Sequence, residues 1–264
     1  MSTPTPTIQF NDGAAYERYM GLWSRKVGEQ FLNWLAPVDG MRWLDVGCGN
    51  GAFTEILAQR CAPASLAGID PSEEQLAFAR TLPLLAAADL RAGDAMALPW
   101  SDRSFDAAVM PLVIFFVPEP AKGVAEMARV VAPGGLVMAY AWDMHNGGFP
   151  YAALQAEIAA LGITVPTPPS NDASKLEAMV ALWQDADLCD IETITITVQR
   201  EFASFEEYWE VVQGGPSVRS RLAGMTPEIS AQLKNRMRET LPTDDAGKVT
   251  ITALANVIKG CVAL

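Results

Sequence analysis

The 264-residue sequence has a single histidine and four cysteines, Cys48, Cys61, Cys189 and Cys261, none of them in a C-x-x-C pair. That scarcity argues against a disulfide framework and against a zinc site, and no metal is expected. Basic residues are also in short supply, with 19 Lys+Arg against 31 Asp+Glu and a net charge of −12. A surface of that sign is a poor match for nucleic acid or an anionic membrane, so neither is expected as a partner. No secretory leader is read at the start, and no apolar run approaches the ~20 residues of a membrane-spanning helix. The expectation is a cytoplasmic protein with reduced thiols, monomeric or homodimeric. At 50% hydrophobic residues, the chain can bury the core of one large α/β domain spanning residues 1–264.

The most informative stretch is Trp43-Leu44-Asp45-Val46-Gly47-Cys48-Gly49-Asn50-Gly51. It reads as a buried strand entering a glycine-rich turn, with Ala52 to Arg60 as the following helix. Glycines let the backbone turn sharply and approach a ligand without a Cβ in the way. The helix start then offers unpaired N–H groups to a carboxylate or phosphate. Glycine spacing alone does not separate ligands, because Gly47-x-Gly49-x-x-Ala52 also satisfies the dinucleotide fingerprint. Asp45 bears on the choice: a carboxylate one step before the loop suits an ammonium group better than a pyrophosphate. That points to S-adenosylmethionine, with a nucleotide-dependent oxidoreductase as the rival.

Around this stretch, strands and helices alternate. Residues 14–35 carry apolar residues at helical spacing, as one helix or two shorter ones, and form an N-terminal helical cap (1–35). The stripe Tyr16/Tyr19/Trp23 reads as core or as a closure over a ligand cation. A second strand over 65–69 ends at Asp70-Pro71, and Ser72-x-x-Gln75 is a capping box for the next helix. Asp70 lies 23 residues past Gly47, where nucleotide-binding βαβ units place an acidic residue on the ribose. Strands over 88–92, 104–110 and 136–141 follow, the last after a helix over 122–131 that Pro133-Gly134-Gly135 stops. Such alternation predicts a doubly wound, mostly parallel sheet with ligands at the carboxyl ends of its strands. Asp70, Asp94, Met110 and Trp142 fall at those ends and are expected to face one crevice.

Five segments carry a family resemblance: LDVGCGNG (44–51), GIDPSEEQL (68–76), GDAMALPW (93–100), FDAAVM (105–110) and ARVVAPGG (128–135). Together, in this order, they resemble the class I S-adenosylmethionine-dependent methyltransferases, in particular the ubiquinone/menaquinone-type small-molecule group. The resemblance implies S-adenosyl-L-methionine as cofactor and a seven-stranded sheet with an antiparallel last strand. It also implies that Asp45, Gly47, Cys48, Gly49 and Gly51 hold the methionine moiety and that Asp70, beside Pro71, binds the ribose. Asp94 and Ala95 would meet the adenine, and Gln75, Met110 and Pro111 would line the site. Tyr16 and Trp23 of the N-terminal segment join the cofactor candidates.

Departures from relatives also inform. The stretch after the fourth strand, Leu112-Val113-Ile114-Phe115-Phe116, has no side chain that takes a proton. Met110-Pro111-Leu112 stands where amino-methyltransferases of DNA and protein carry Asx/Ser-Pro-Pro-aromatic. No carboxylate ends the fourth strand to hold a divalent cation. Beyond residue 146, Pro166-Thr167-Pro168-Pro169 reads as a rigid linker. Alternating apolar and Thr residues over 191–198 and 249–253 predict strands six and seven. The intervening segment 203–247 is too long for a turn and reads as a helical lid, with packing or a dimer contact as the alternative. Trp142, Tyr208 and Trp209 are its acceptor-side candidates. His145 is the candidate general base, in a reaction that is otherwise a matter of positioning. The expected activity is methyl transfer to a small, moderately hydrophobic acceptor. The remaining alternative is a binding protein of the same fold that has lost catalysis.

Overall fold

A computed structural model describes residues 17–213, 215, 218 and 222–264. A turn of π-helix, Glu17–Gly21, runs into α1, Leu22–Leu35, whose Trp23, Val27 and Phe31 recur at four-residue steps and are all buried. That apolar stripe explains why one helix survives Gly28. β1 is Arg42–Val46, α2 Ala52–Arg60, β2 Ser65–Asp70 and α3 Glu73–Ala79. β3 is Asp89–Ala92, β4 Phe105–Pro111, α4 Pro120–Val130 and β5 Val131–Trp142. The chain continues through α5, Ala152–Ala160, α6, Leu176–Asp185, and β6, Leu188–Phe202. It closes with α7, Phe205–Gln213, α8, Pro227–Thr240, and β7, Val249–Val262.

The seven strands form one sheet in the order β3-β2-β1-β4-β5-β7-β6. The first five are mutually parallel, and β7 runs antiparallel to both β5 and β6. This is the doubly wound architecture expected from the alternation, with the last strand reversed. Because β1 is flanked by β2 and β4, the loops leaving these three strands meet at one end of the sheet, at the switch in winding direction.

Three strands differ from their sequence limits for identifiable reasons. β5 begins at Val131, before Pro133-Gly134-Gly135, and its register against β4 jumps from Phe105↔Val131 to Ala107↔Leu136. α4 has already ended at Val130, before the glycines, which instead form an excursion inside a strand that has already started. β6 and β7 run well past their Thr-alternating cores. Ladder bonds continue where polar residues such as Glu192, Glu201 and Lys259 interrupt the apolar alternation.

An aromatic knot joins the N-terminal helix, the start of α5 and the 203–247 insertion. Tyr19 stacks on Tyr151 with ring centroids 4.2 Å apart, and the Tyr151 hydroxyl donates to the Tyr19 carbonyl at 2.7 Å. Trp23 Nε1 donates to the same hydroxyl at 3.2 Å and meets Trp142 edge-on at 6.4 Å. Tyr208 of α7 packs on Phe202 and Tyr151 at 5.3 and 6.3 Å. Gly215 closes the contact: a Cβ there would lie 2.6 Å from the Tyr19 ring.

Tyr151→Phe keeps the ring and removes a hydroxyl that serves both a buried donor and a buried acceptor. The orphaned Trp23 N–H should cost about 1–3 kcal/mol, which at this chain length lowers Tm by roughly 2–10 °C. An unchanged Tm on calorimetric melting would show that the knot tolerates the loss.

Candidate functional site

A cavity of about 560 Å³ opens at the carboxyl ends of β1, β2 and β4. It lies within the ~300–1,000 Å³ range of small-molecule sites. The glycine loop makes its floor. Gly47, Gly49 and Gly51 all have positive φ, at 79°, 52° and 84°. Gly47 is dictated by packing, since a Cβ there would fall 2.4 Å from a methyl of Val113. At Gly49 the nearest atom to such a Cβ is Asp70 Oδ2 at 3.9 Å, so that backbone faces open space.

Asp70 ends β2 and ties two loops together. Gly49 N donates to its Oδ2 and Ser72 N to its Oδ1, each at 2.9 Å. Burial raises the Asp70 pKa, and these two N–H donors hold it back. Ser72 caps α3 by accepting from Gln75 N at 3.3 Å, one arm of the expected capping box, while its own N–H goes to Asp70 instead of Gln75. Asn50 Oδ1 accepts from Ala52 N at 3.2 Å, a local turn across Gly51, the N-cap of α2.

Asp45 sits beneath the loop, fully buried. Thr54 Oγ1 donates to its Oδ2 at 2.7 Å, while Oδ1 has no hydrogen-bond partner among the described residues. Burial pushes its pKa up to about 7; the Thr54 hydrogen bond opposes this and the Asp70 charge adds to it.

The cavity brings together Gly47, Cys48, Gly49, Asp70, Pro71, Gln75 and Pro111 from the residues singled out in the sequence. Gly51 turns the chain into α2, and a Cβ there would meet Leu85 at 2.7 Å. Met110 is fully buried behind the lining. Asp94 is exposed and accepts from Met96 N at 2.8 Å, a local turn; neither it nor Ala95 lines this cavity. Tyr16 lies outside the described residues, as do 1–7.

Five candidates, Trp23 for the cofactor and Trp142, Tyr208, Trp209 and His145 for the acceptor side, are not among the lining residues. Trp23 and Trp142 pack on each other in the core and do not reach the cavity, because both belong to the aromatic knot. Tyr208 and Trp209 are buried against Phe202, Tyr151 and Phe205, and no described residue of 203–247 lines the cavity. His145 is exposed, with Nε2 3.2 Å from Asp172 Oδ1 and 3.3 Å from Asn171 Nδ2, away from the lining. Among the described residues, no group of three or more His, Cys, Asp or Glu is placed to hold a metal.

In their place stand residues that sequence patterning did not single out. Ser24 and Phe53 line it from two helices, Tyr140 from β5, Val113 and Phe116 from the segment after β4, and Thr167, Pro168 and Pro169 from the stretch after α5. The apolar run after β4 was a usable signal. For the proline segment there was none, because composition says that it is stiff and not where it folds back.

Asp45 makes stability depend on pH. Between its ordinary value of 3.8 and about 7, the folded chain keeps a proton that the unfolded chain has lost. Its contribution is therefore greatest below pH 3.8, falls as pH rises towards 7, and is flat above. Asp45→Asn removes this titration, so its Tm relative to wild type should rise by several degrees between pH 4 and pH 7.5. A difference that stays constant across that range would place the titration elsewhere.

Residues 44–139 match the family model described as "Methyltransferase domain". A fatty-acid O-methyltransferase of Mycolicibacterium smegmatis is 36% identical over 100 residues, covering 38% of this chain and 36% of that protein. A demethylmenaquinone methyltransferase of Desulfitobacterium hafniense is 38% identical over 104 residues, covering 38% and 41%. The chain thus spans well under two thirds of the length of these curated relatives. A solved phosphoethanolamine N-methyltransferase 2 of Haemonchus contortus superposes with a TM-score of 0.58 at 17% identity, over 95% of this chain and 56% of that one. Strand order, glycine loop and these matches agree: residues 44–139 match the methyltransferase domain family, and the chain that carries them has the class I methyltransferase fold.

Proposed function

We propose that the protein transfers a methyl group from S-adenosylmethionine to a small, moderately hydrophobic acceptor by in-line displacement. The observation that carries this reading is the Asp70 carboxylate, held at the end of β2 by Gly49 N and Ser72 N beside open space. Each of its oxygens has a second lone pair left for a ribose hydroxyl. The neighbouring residues suit the rest of the cofactor. Gly49 offers a backbone that a ligand can approach, and Asp45 keeps one buried carboxylate oxygen in reserve under the methionine end. Gly93 N donates to the Asp70 carbonyl at 3.1 Å, so the turn carrying Asp94 and Ala95 borders the same edge and can close the adenine end.

S-adenosylmethionine would supply both the electrophilic methyl group and a neutral thioether leaving group. The chain's own work is then to orient the acceptor and exclude water. His145, paired with Asp172 and Asn171, is assigned to positioning the 171–172 segment rather than to proton transfer. Relatives named for a fatty acid and for demethylmenaquinone fit an acceptor of the same apolar kind.

Asp70→Ala should weaken S-adenosylmethionine binding by roughly tenfold or more, since charge-assisted hydrogen bonds contribute about 1.5–3 kcal/mol each. Asp70→Asn, which keeps one acceptor oxygen, should fall between variant and wild type. Titration calorimetry of all three proteins, each checked for an intact melt, decides it. Equal affinities would remove Asp70 from the site and take this reading with it.

A further inference from the structure

Part of the cavity wall is built from a segment that reads in sequence as a mere connector. Thr167, Pro168 and Pro169 line the cavity together with Val113 and Phe116. Two clamps hold this strap down. Ser170 N donates to the Phe115 carbonyl at 3.1 Å, and Ser170 Oγ to the Val117 and Pro118 carbonyls at 2.7 and 3.3 Å. Immediately after it, Asn171 and Asp172 meet His145 from the loop after β5. Two consecutive prolines stiffen the span that leads into both clamps.

The residues that the strap faces are set by an unusual backbone. Leu112 adopts φ 60°, a left-handed conformation for a branched residue, while its N–H donates to the Tyr140 carbonyl at 2.7 Å. That turn brings Val113 onto Gly47, where no Cβ fits, and leads into the Ile114–Phe116 turn that presents Phe116 to the cavity. The strain is thus located where β4 meets the strap.

Sheet order says which part of a ligand this wall touches. β2 and β3 lie on one side of β1 and β4 lies on the other. With the ribose end at Asp70 on β2, the β4 side is the far end of the cavity, where the transferred group would emerge. This step rests on the cofactor reading above. We propose that the 167–169 strap, with Val113 and Phe116, is the acceptor-selecting wall, and that it takes an uncharged apolar ring or chain. Its described lining is valine, phenylalanine and proline, with the Thr167 hydroxyl as its polar side chain. A charged acceptor group buried against such a surface would lack a partner, at a cost of several kcal/mol. Specificity is therefore set by the strap and the β4 turn, while the 203–247 insertion braces the aromatic knot.

The test uses two probes that report without turnover: N-phenyl-1-naphthylamine, which is neutral, and 8-anilinonaphthalene-1-sulfonate, its anionic analogue. Wild type should bind the neutral probe with enhanced fluorescence and the sulfonate more weakly. Thr167→Asp puts a charge on the wall and should weaken neutral-probe binding by roughly tenfold or more. Its S-adenosylmethionine affinity, read by calorimetry, should stay within about twofold, as expected for separate sites. Thr167→Val, which adds no charge, should bind the neutral probe at least as well as wild type and serves where the aspartate variant melts early. Trp209→Ala should leave probe binding unchanged.

Equal binding of the two probes overturns the uncharged class. Probe affinity indifferent to Thr167→Asp, or lost in Trp209→Ala instead, overturns the wall. A parallel loss of S-adenosylmethionine affinity in Thr167→Asp assigns the strap to the cofactor and overturns it too. Wild type that binds the neutral probe as expected but gives no heat with S-adenosylmethionine refutes the methyl-donor reading alone.

Discussion

The site depends on one carboxylate holding two backbone amides. Asp70 accepts from Gly49 N and Ser72 N, so the loop after β1 and the start of α3 are tied to the end of β2. Without it, two buried or half-buried N–H groups would need other partners, and the loop would lose its register against β2. The same contacts set the charge of the site. Burial raises the Asp70 pKa and the two donors oppose that rise, which keeps a carboxylate serviceable as an acceptor in a half-enclosed cavity. Asp45 nearby has one donor, Thr54, and its pKa rises to about 7. Two carboxylates close in space are thus tuned differently, first by how deeply each is buried and then by the hydrogen bonds each receives.

A second constraint is steric. Gly47 has no side chain because Val113 occupies that space, and Val113 is there because Leu112 takes a left-handed turn at the end of β4. Loop and turn are complementary surfaces, so the cofactor side and the opposite wall share one interface. Pre-organisation of this kind matters for methyl transfer, where the reacting groups must be brought into line.

The aromatic residues divide differently from their spacing in sequence. Tyr19, Trp23, Trp142, Tyr151 and Tyr208 meet in one knot, with two hydrogen bonds of the Tyr151 hydroxyl at its centre. Phe53, Phe116 and Tyr140 face the cavity instead. Both groups are apolar rings in helices, strands or turns, and only their neighbours in space distinguish them. The knot secures the N-terminal helix and the 203–247 insertion to the sheet, while residues 167–169 join the cavity lining.

How much was legible follows from the range of the forces involved. The strand-loop-helix at 42–60 could be read residue by residue, because buried strand, left-handed glycines and helix cap are local and each restricts the residue type. The helix cap at Ser72 and the Asp70 that ends β2 are equally local. The alternation of elements sufficed for a mostly parallel sheet, and the Thr-alternating strands for its reversed end. The destinations of Trp23, Trp142, Tyr208, Trp209 and His145 were not legible, nor was the role of Thr167-Pro168-Pro169. An aromatic at helical spacing is driven to bury itself, but burial has no direction in sequence. Which cluster it joins depends on contacts across more than a hundred residues, such as Tyr151 with Tyr19 at a separation of 132. Local chemistry therefore determined the sheet and the glycine cradle. Long-range packing decided which residues form the wall across from it.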